Sequence, residues 1–103
     1  DVLKLPGRDG GRVTVQPLIF NRVMDIIPVS GWQVIQEADD SLTLLITGVR
    51  DGLTDAALRE QLTRSLAQEQ VRMPAIKIEH VAAIPKTAAG KAPLVKAYRP
   101  SQS

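Results

Sequence analysis

The 103-residue sequence has no cysteine, which excludes a disulfide scaffold, a thiolate metal site and a cysteine nucleophile. It has one histidine, His80, so His-rich metal sites and most imidazole-based acid–base constellations are excluded as well. Phe20, Trp32 and Tyr98 are the only aromatics, too few for the stacking platforms of single-strand nucleic-acid binders. No GxxxxGK phosphate loop occurs, and no carboxylate cluster offers itself to magnesium, so no metal site is expected on this chain. No apolar run approaches the roughly 20 residues that span a bilayer. The sequence opens on charged residues and a Gly-rich loop rather than on a signal-type apolar segment. The expected setting is cytoplasmic, with neither nucleic acid nor membrane as partner. The opening Asp1-Val2-Leu3 has no methionine, and we read the chain as cut from a longer protein.

What is present is ordinary for a soluble domain. Hydrophobic residues make up 44% and charged residues 23%, enough for one modest core without staples. The net charge of +2 is too small to argue for nucleic acid. Its distribution says more. From Pro85 to Ser103 the basic residues are Lys86, Lys91, Lys96 and Arg99, with no aspartate or glutamate in the stretch. Such a tail favours an anion such as a phosphate group.

Val2–Leu5 and Arg12–Val15 read as short strands flanking a turn-rich loop, hence a β-hairpin in which Gly10 and Gly11 supply positive φ angles. Pro17 suits a first helical turn, and the apolar face of Leu18, Phe20, Val23, Met24, Ile26 and Ile27 predicts a helix that Pro28 ends. Trp32–Glu37 and Leu42–Thr47 read as an antiparallel pair, the second more apolar and therefore central. Thr54–Gln70 is the clearest helix. Thr54 caps it, Leu58, Leu62 and Leu66 repeat at i+4, and Asp55–Arg59 and Glu60–Arg64 are candidate ion pairs. Ala75–Ala83 is a last long strand, with His80 on the side of Ile76 and Ile78 as a partly buried or sheet-face histidine. Leu94–Tyr98 reads as a helical turn, and residues 100–103 as a disordered tail. The expectation is an α+β two-layer domain over residues 1–99. It comprises an N-terminal β-hairpin, then a three-stranded, antiparallel-rich sheet with two helices on one face.

The stretch that bears on chemistry is Pro85-Lys86-Thr87-Ala88-Ala89-Gly90-Lys91. It follows a strand and is too poor in bulk to bury its lysine. Surface lysines are commonly just solvated, and a strand, a glycine loop and a lysine occur together in many proteins. Proline, threonine and then glycine–lysine at this spacing, however, resemble the C-terminal lysine motif of the adenylate-forming enzymes, the acyl-CoA ligases in particular. The following Ala92-Pro93-Leu94 makes the segment most similar to the phenylacetate–coenzyme A ligase branch. Asp1 stands where that family has its hinge aspartate, Val2-Leu3-Lys4 resembles the residues after it, and Gly11 takes the place of the hairpin glycine. The loop is longer than the family's usual one, and Asn21 stands where a glutamate often closes the pattern.

The resemblance implies a mobile C-terminal, lid-like domain of an AMP-forming ligase that converts acid, ATP and coenzyme A to acyl-CoA, AMP and pyrophosphate. Lys91 would be the adenylation lysine, Thr87 and Gly90 would shape its loop, and Asp1 would be the hinge. The hairpin around Gly10, Gly11 and Arg12 would face coenzyme A in the second step. ATP and Mg2+ would be bound mainly by an N-terminal domain of the same polypeptide, so the fragment alone is expected to be inactive. The acid is not specified by these residues. A rival reading is a free-standing small-ligand-binding or regulatory α+β module that forms a homodimer through sheet edges.

Overall fold

The computed structural model describes residues 2–72, 75–84 and 94–98. Its element order is β1 (Leu3–Pro6), β2 (Arg12–Val15), α1 (Pro17–Met24), β3 (Gly31–Gln36), β4 (Leu42–Thr47), α2 (Asp55–Gln68), β5 (Ile76–His80) and β6 (Val95–Lys96). The expected α+β two-layer architecture is present. β1 and β2 form a two-stranded antiparallel sheet, and the remaining strands form a four-stranded sheet in the order β5-β4-β3-β6.

Two features of the main sheet differ from the sequence reading. It has four strands rather than three, because residues 95–96 pair with β3 instead of making a helical turn. The apolar, β-branched Val95 is 2% exposed and joins the core, and burial decides a segment too short to show periodicity. The sheet is also mixed rather than antiparallel-rich: β3–β4 is antiparallel, while β4–β5 and β3–β6 are parallel. α2 sets the first of these directions. A strand–helix–strand crossover returns the chain to the starting end of β4, so β5 must run alongside it in the same sense.

One face of the sheet carries the core. Val34, Leu42, Leu44, Ile46, Ile76 and Val95 share that face by alternation and cluster with Phe20, Val23 and Met24 of α1 and Leu58, Leu62 and Leu66 of α2. Leu3, Leu5 and Val15 of the hairpin, each with no measurable exposure, join the cluster, as does Val71 after α2. β4 lies inside the sheet, as its apolar sequence predicts.

The helices begin where their sequences say and end for local reasons. Pro17 opens α1, but the helix stops at Met24 rather than Ile27. Ile26 and Ile27 instead donate to Val23 and Met24 three residues back, tightening the chain ahead of Pro28. Thr54 caps α2 by accepting the Ala57 N–H at 3.2 Å. At the other end Gln70 takes a left-handed φ of 66°. Its N–H bonds the Ala67 carbonyl and that of Val71 bonds Leu66, so α2 closes with a Schellman motif well before Pro74.

Glu60 and Arg64 form the expected pair at 2.6 Å. Asp55 and Arg59 do not pair. Asp55 Oδ1 meets His80 Nε2 at 2.8 Å, and Arg59 Nε donates to the Ile76 carbonyl at 3.0 Å. β5 brings both partners beside the first turns of α2, and these tertiary contacts replace the weak i,i+4 pair. His80 thus lies on the predicted face but is exposed rather than partly buried, with Asp55 for a partner.

Candidate functional site

The lysine motif lies outside the described residues: Lys91, Thr87 and Gly90 belong to residues 85–93, and Asp1 is also outside. The two ends from which that stretch departs and to which it returns are described. On the departing side Val81 N–H bonds the Ile46 carbonyl at 2.9 Å, and Thr47 Oγ1 donates to the Ala82 carbonyl at 3.1 Å. Ile84 then packs at Gly31, where an added methyl would lie 3.3 Å from its Cγ1. On the returning side the Leu94 carbonyl accepts the Val34 N–H at 2.8 Å. The departing end is therefore fixed to the end of β4 and beside Gly31 at the start of β3, and the returning end to Val34 in the middle of β3.

The hairpin residues can be placed in detail. Gly10 has φ +88°, and a methyl added there would meet nothing within 4 Å, so its backbone is open to an approaching group. Gly11 does not share the positive φ expected of it. Its N–H is held by Asp9 Oδ1 at 2.9 Å, because the aspartate turns back on its own loop. The steric need for glycine falls on Gly7, which the sequence reading passed over. A methyl there would come within 2.7 Å of Val13 Cγ2.

Arg12 points across to the β3–β4 turn. Its guanidinium grips Asp40 with two bonds of 2.7 and 3.0 Å and also donates to the Lys4 carbonyl at 2.8 Å. The hydrogen bond from Arg12 is the main reason the Asp40 carboxyl is held below its usual range, and the same bond raises Arg12. Asp40 reaches this position through a left-handed φ of 66°, which Asp tolerates better than most residues. Asp39 fastens the turn from the other side. Its Oδ1 accepts both the N–H and the hydroxyl of Ser41, which hold its carboxyl low as well.

Gln36 lies beside this pair and was not singled out from sequence. Neither was Asp40. A polar residue closing a strand next to Asp39-Asp40-Ser41 was the available signal, but nothing local says that Arg12, 28 residues earlier, would meet the turn. A cleft of about 240 Å³ opens there, between Val2, Lys4 and Tyr98 with Arg12 and Gln36 on its polar side. Among the described residues no three His, Cys, Asp or Glu side chains gather into a group that could hold a metal ion. Among them, too, no helix is long and apolar enough to cross a membrane.

No protein-family model matches the sequence, and no curated protein matches it. Among solved structures, a domain of phenylacetate-coenzyme A ligase from Bacteroides vulgatus ATCC 8482 is similar, with a TM-score of 0.50 and 20% identity. The likeness covers 96% of this chain and 95% of that one. The chain has the fold of that ligase domain. Helices, hairpin and main sheet are all included, since almost nothing of either chain is left over.

Proposed function

We propose that the chain is the mobile C-terminal domain of an AMP-forming acyl-CoA ligase and that Lys91 is its adenylation lysine. The observation that carries this reading is the nearly end-to-end likeness to a phenylacetate-coenzyme A ligase domain. It agrees with the independent resemblance of Pro85–Lys91 to the family's lysine motif.

In the first half-reaction a carboxylate oxygen attacks the α-phosphorus of ATP, and the bond to pyrophosphate breaks. Two anions must approach while charge builds on the phosphoryl oxygens. A lysine ammonium offsets that charge where it develops, and its compact head can serve several oxygens in turn. In the second half-reaction the coenzyme A thiol, losing its proton, attacks the acyl carbon and AMP departs. The hairpin is the segment for that step. The open backbone at Gly10 is the better candidate contact, because Arg12 is engaged by Asp40 and Lys4. Mg2+ and most of the ATP contacts are assigned to an N-terminal domain of the same polypeptide, since the described residues offer no metal-binding group. The isolated chain is therefore expected to be inactive. A cytoplasmic setting belongs to the same reading, and the acid remains open.

The test is Lys91→Ala in the polypeptide that includes the N-terminal domain, with the two half-reactions assayed separately. Adenylation should slow by the loss of one electrostatic donor, about 3–4 kcal/mol. Transfer from supplied acyl-adenylate to coenzyme A should persist. A loss under about 0.5 kcal/mol in both would mark Lys91 as a solvated surface residue. Equal large losses would mean that Lys91 holds the domain together or binds coenzyme A instead.

A further inference from the structure

Gln36 is 7% exposed, and its side-chain amide joins three separate parts of the chain. Nε2 donates to the Lys4 carbonyl in β1 and to Asp40 Oδ1 in the β3–β4 turn, each at 2.9 Å. Oε1 accepts the Tyr98 N–H at 3.1 Å. The orientation of the amide is chemically forced. A carbonyl and a carboxylate can only accept, so the NH2 faces them, and a backbone N–H can only donate, so the oxygen faces Tyr98. Arg12 closes the arrangement into a ring, since it also donates to both the Lys4 carbonyl and Asp40.

The position of this ring gives it consequence. Strand β6 pairs with β3 over only two residues, Val34 with Val95 and Ile35 with Lys96. Gln36 is the next residue of β3, and its side-chain oxygen prolongs the hold on the returning chain as far as Tyr98. The returning chain, residues 94–98, is the C-terminal anchor of the stretch that contains Lys91.

We propose that Gln36 is a positioning residue that ties this anchor of the lysine-bearing stretch to the N-terminal hairpin, so that the two are held in one fixed relation. What the tie does for catalysis rests on the reading of Lys91 given above. The tie itself does not.

The test is residue-resolved amide hydrogen exchange on the 103-residue chain with Gln36→Leu and Gln36→Glu. Leucine removes all three bonds. Exchange at Tyr98 and Val34 should then rise about tenfold or more relative to Leu62 and Leu66 in α2, as for a local opening. Glutamate keeps an acceptor for Tyr98 but has no donor for Lys4 or Asp40, so the hairpin amides should loosen while Tyr98 stays near the parent rate. An unchanged Tyr98 in Gln36→Leu overturns the proposal, and so does a uniform rise that includes α2. If the leucine variant fails to fold, an equal rise at hairpin and Tyr98 in Gln36→Glu overturns it. In the polypeptide with its N-terminal domain, Gln36→Leu should lower the adenylation rate with little change in KM for acid or ATP. If Lys91→Ala leaves adenylation intact, the functional reading fails while the exchange result stands. If Lys91→Ala is slow and the exchange pattern is absent, only the role of Gln36 fails.

Discussion

Among the described residues there are two antiparallel hairpins, and they are held in different ways. In β3–β4 both strands are interior to the main sheet, with β6 on one side and β5 on the other. Apolar contact with both helices adds to the backbone ladder. The β1–β2 pair shares no ladder with the main sheet. It is held by the burial of Leu3, Leu5 and Val15, and at its turn by backbone bonds from Arg8 to Gln70 and from Arg72 to Pro6. Side chains attach it as well, Arg12 reaching Asp40 and Gln36 reaching the Lys4 carbonyl. An isolated two-stranded ribbon is marginal in water, so these attachments decide whether β1–β2 stays in place. Losing the core should therefore unfold everything, whereas losing the side-chain attachments should loosen only the first hairpin.

The strongest way to break that contrast is in the shared core. Leu62 lies in α2 at 2% exposure among the leucines that face the sheet. Leu62→Ala should cost about 2–5 kcal/mol, through lost transfer energy and the cavity left behind. Both hairpins should melt together in thermal or urea unfolding. A midpoint within a degree of the parent would show that Leu62 carries no core load.

A smaller effect is expected at the exit of β4. Gly48 has φ +67°, and a methyl added there would overlap the Ser30 side chain. Gly48→Ala should destabilise by about 1–3 kcal/mol through left-handed strain and the displaced serine. The Ser30 N–H, which bonds the Thr47 carbonyl at 2.9 Å, should exchange faster before the hairpin does. Parent-like stability would mean that this exit adjusts freely.

The same contrast explains how much could be read from sequence. The β3–β4 pair, α2 with its Thr54 cap and the first hairpin were legible because their signals are local: alternation, an i+4 leucine repeat, a cap and a turn-rich loop. The two-residue β6 was not, since its pairing with β3 is decided by the burial of Val95. The parallel sense of β5 required knowing that α2 is a crossover. Long-range partners were hidden as well. Asp55 turns to His80, 25 residues away, rather than to Arg59 one helical turn along. Of the candidate site, the lysine motif was found as a motif and lies outside the described residues. The hairpin was found, but the close approach of Val13 to Gly7 needs the folded turn, and the attachment of Lys4 and Arg12 to Gln36 and Asp40 appears only when distant residues are brought together.

The smallest expected effect tests the side-chain attachment alone. Asp40→Asn keeps the side-chain shape and a residue that accepts the left-handed φ of 66°, so the turn itself should survive. What is lost is the charge facing Arg12. The Asp40 carboxyl is lowered from its usual 3.8, chiefly by its hydrogen bond from Arg12. A carboxyl lowered by folding adds stability above its unfolded value and loses it as pH falls through the folded one. The advantage of the parent over Asp40→Asn should thus be full near neutral pH and fade below about pH 4. Asp39 is lowered too, but it is present in both proteins and cancels. Because Arg12 is about half exposed, with a side-chain exposure of 52%, the difference should also shrink with added salt. Exchange at the hairpin amides is the readout, with the amides of α2 as the internal reference. A difference that stays flat from neutral pH into acid would show that the carboxylate contributes no charge-dependent hold. The first hairpin would then rest on its buried Leu3, Leu5 and Val15, its backbone bonds to residues 70–72 and the neutral bond from Gln36 to the Lys4 carbonyl.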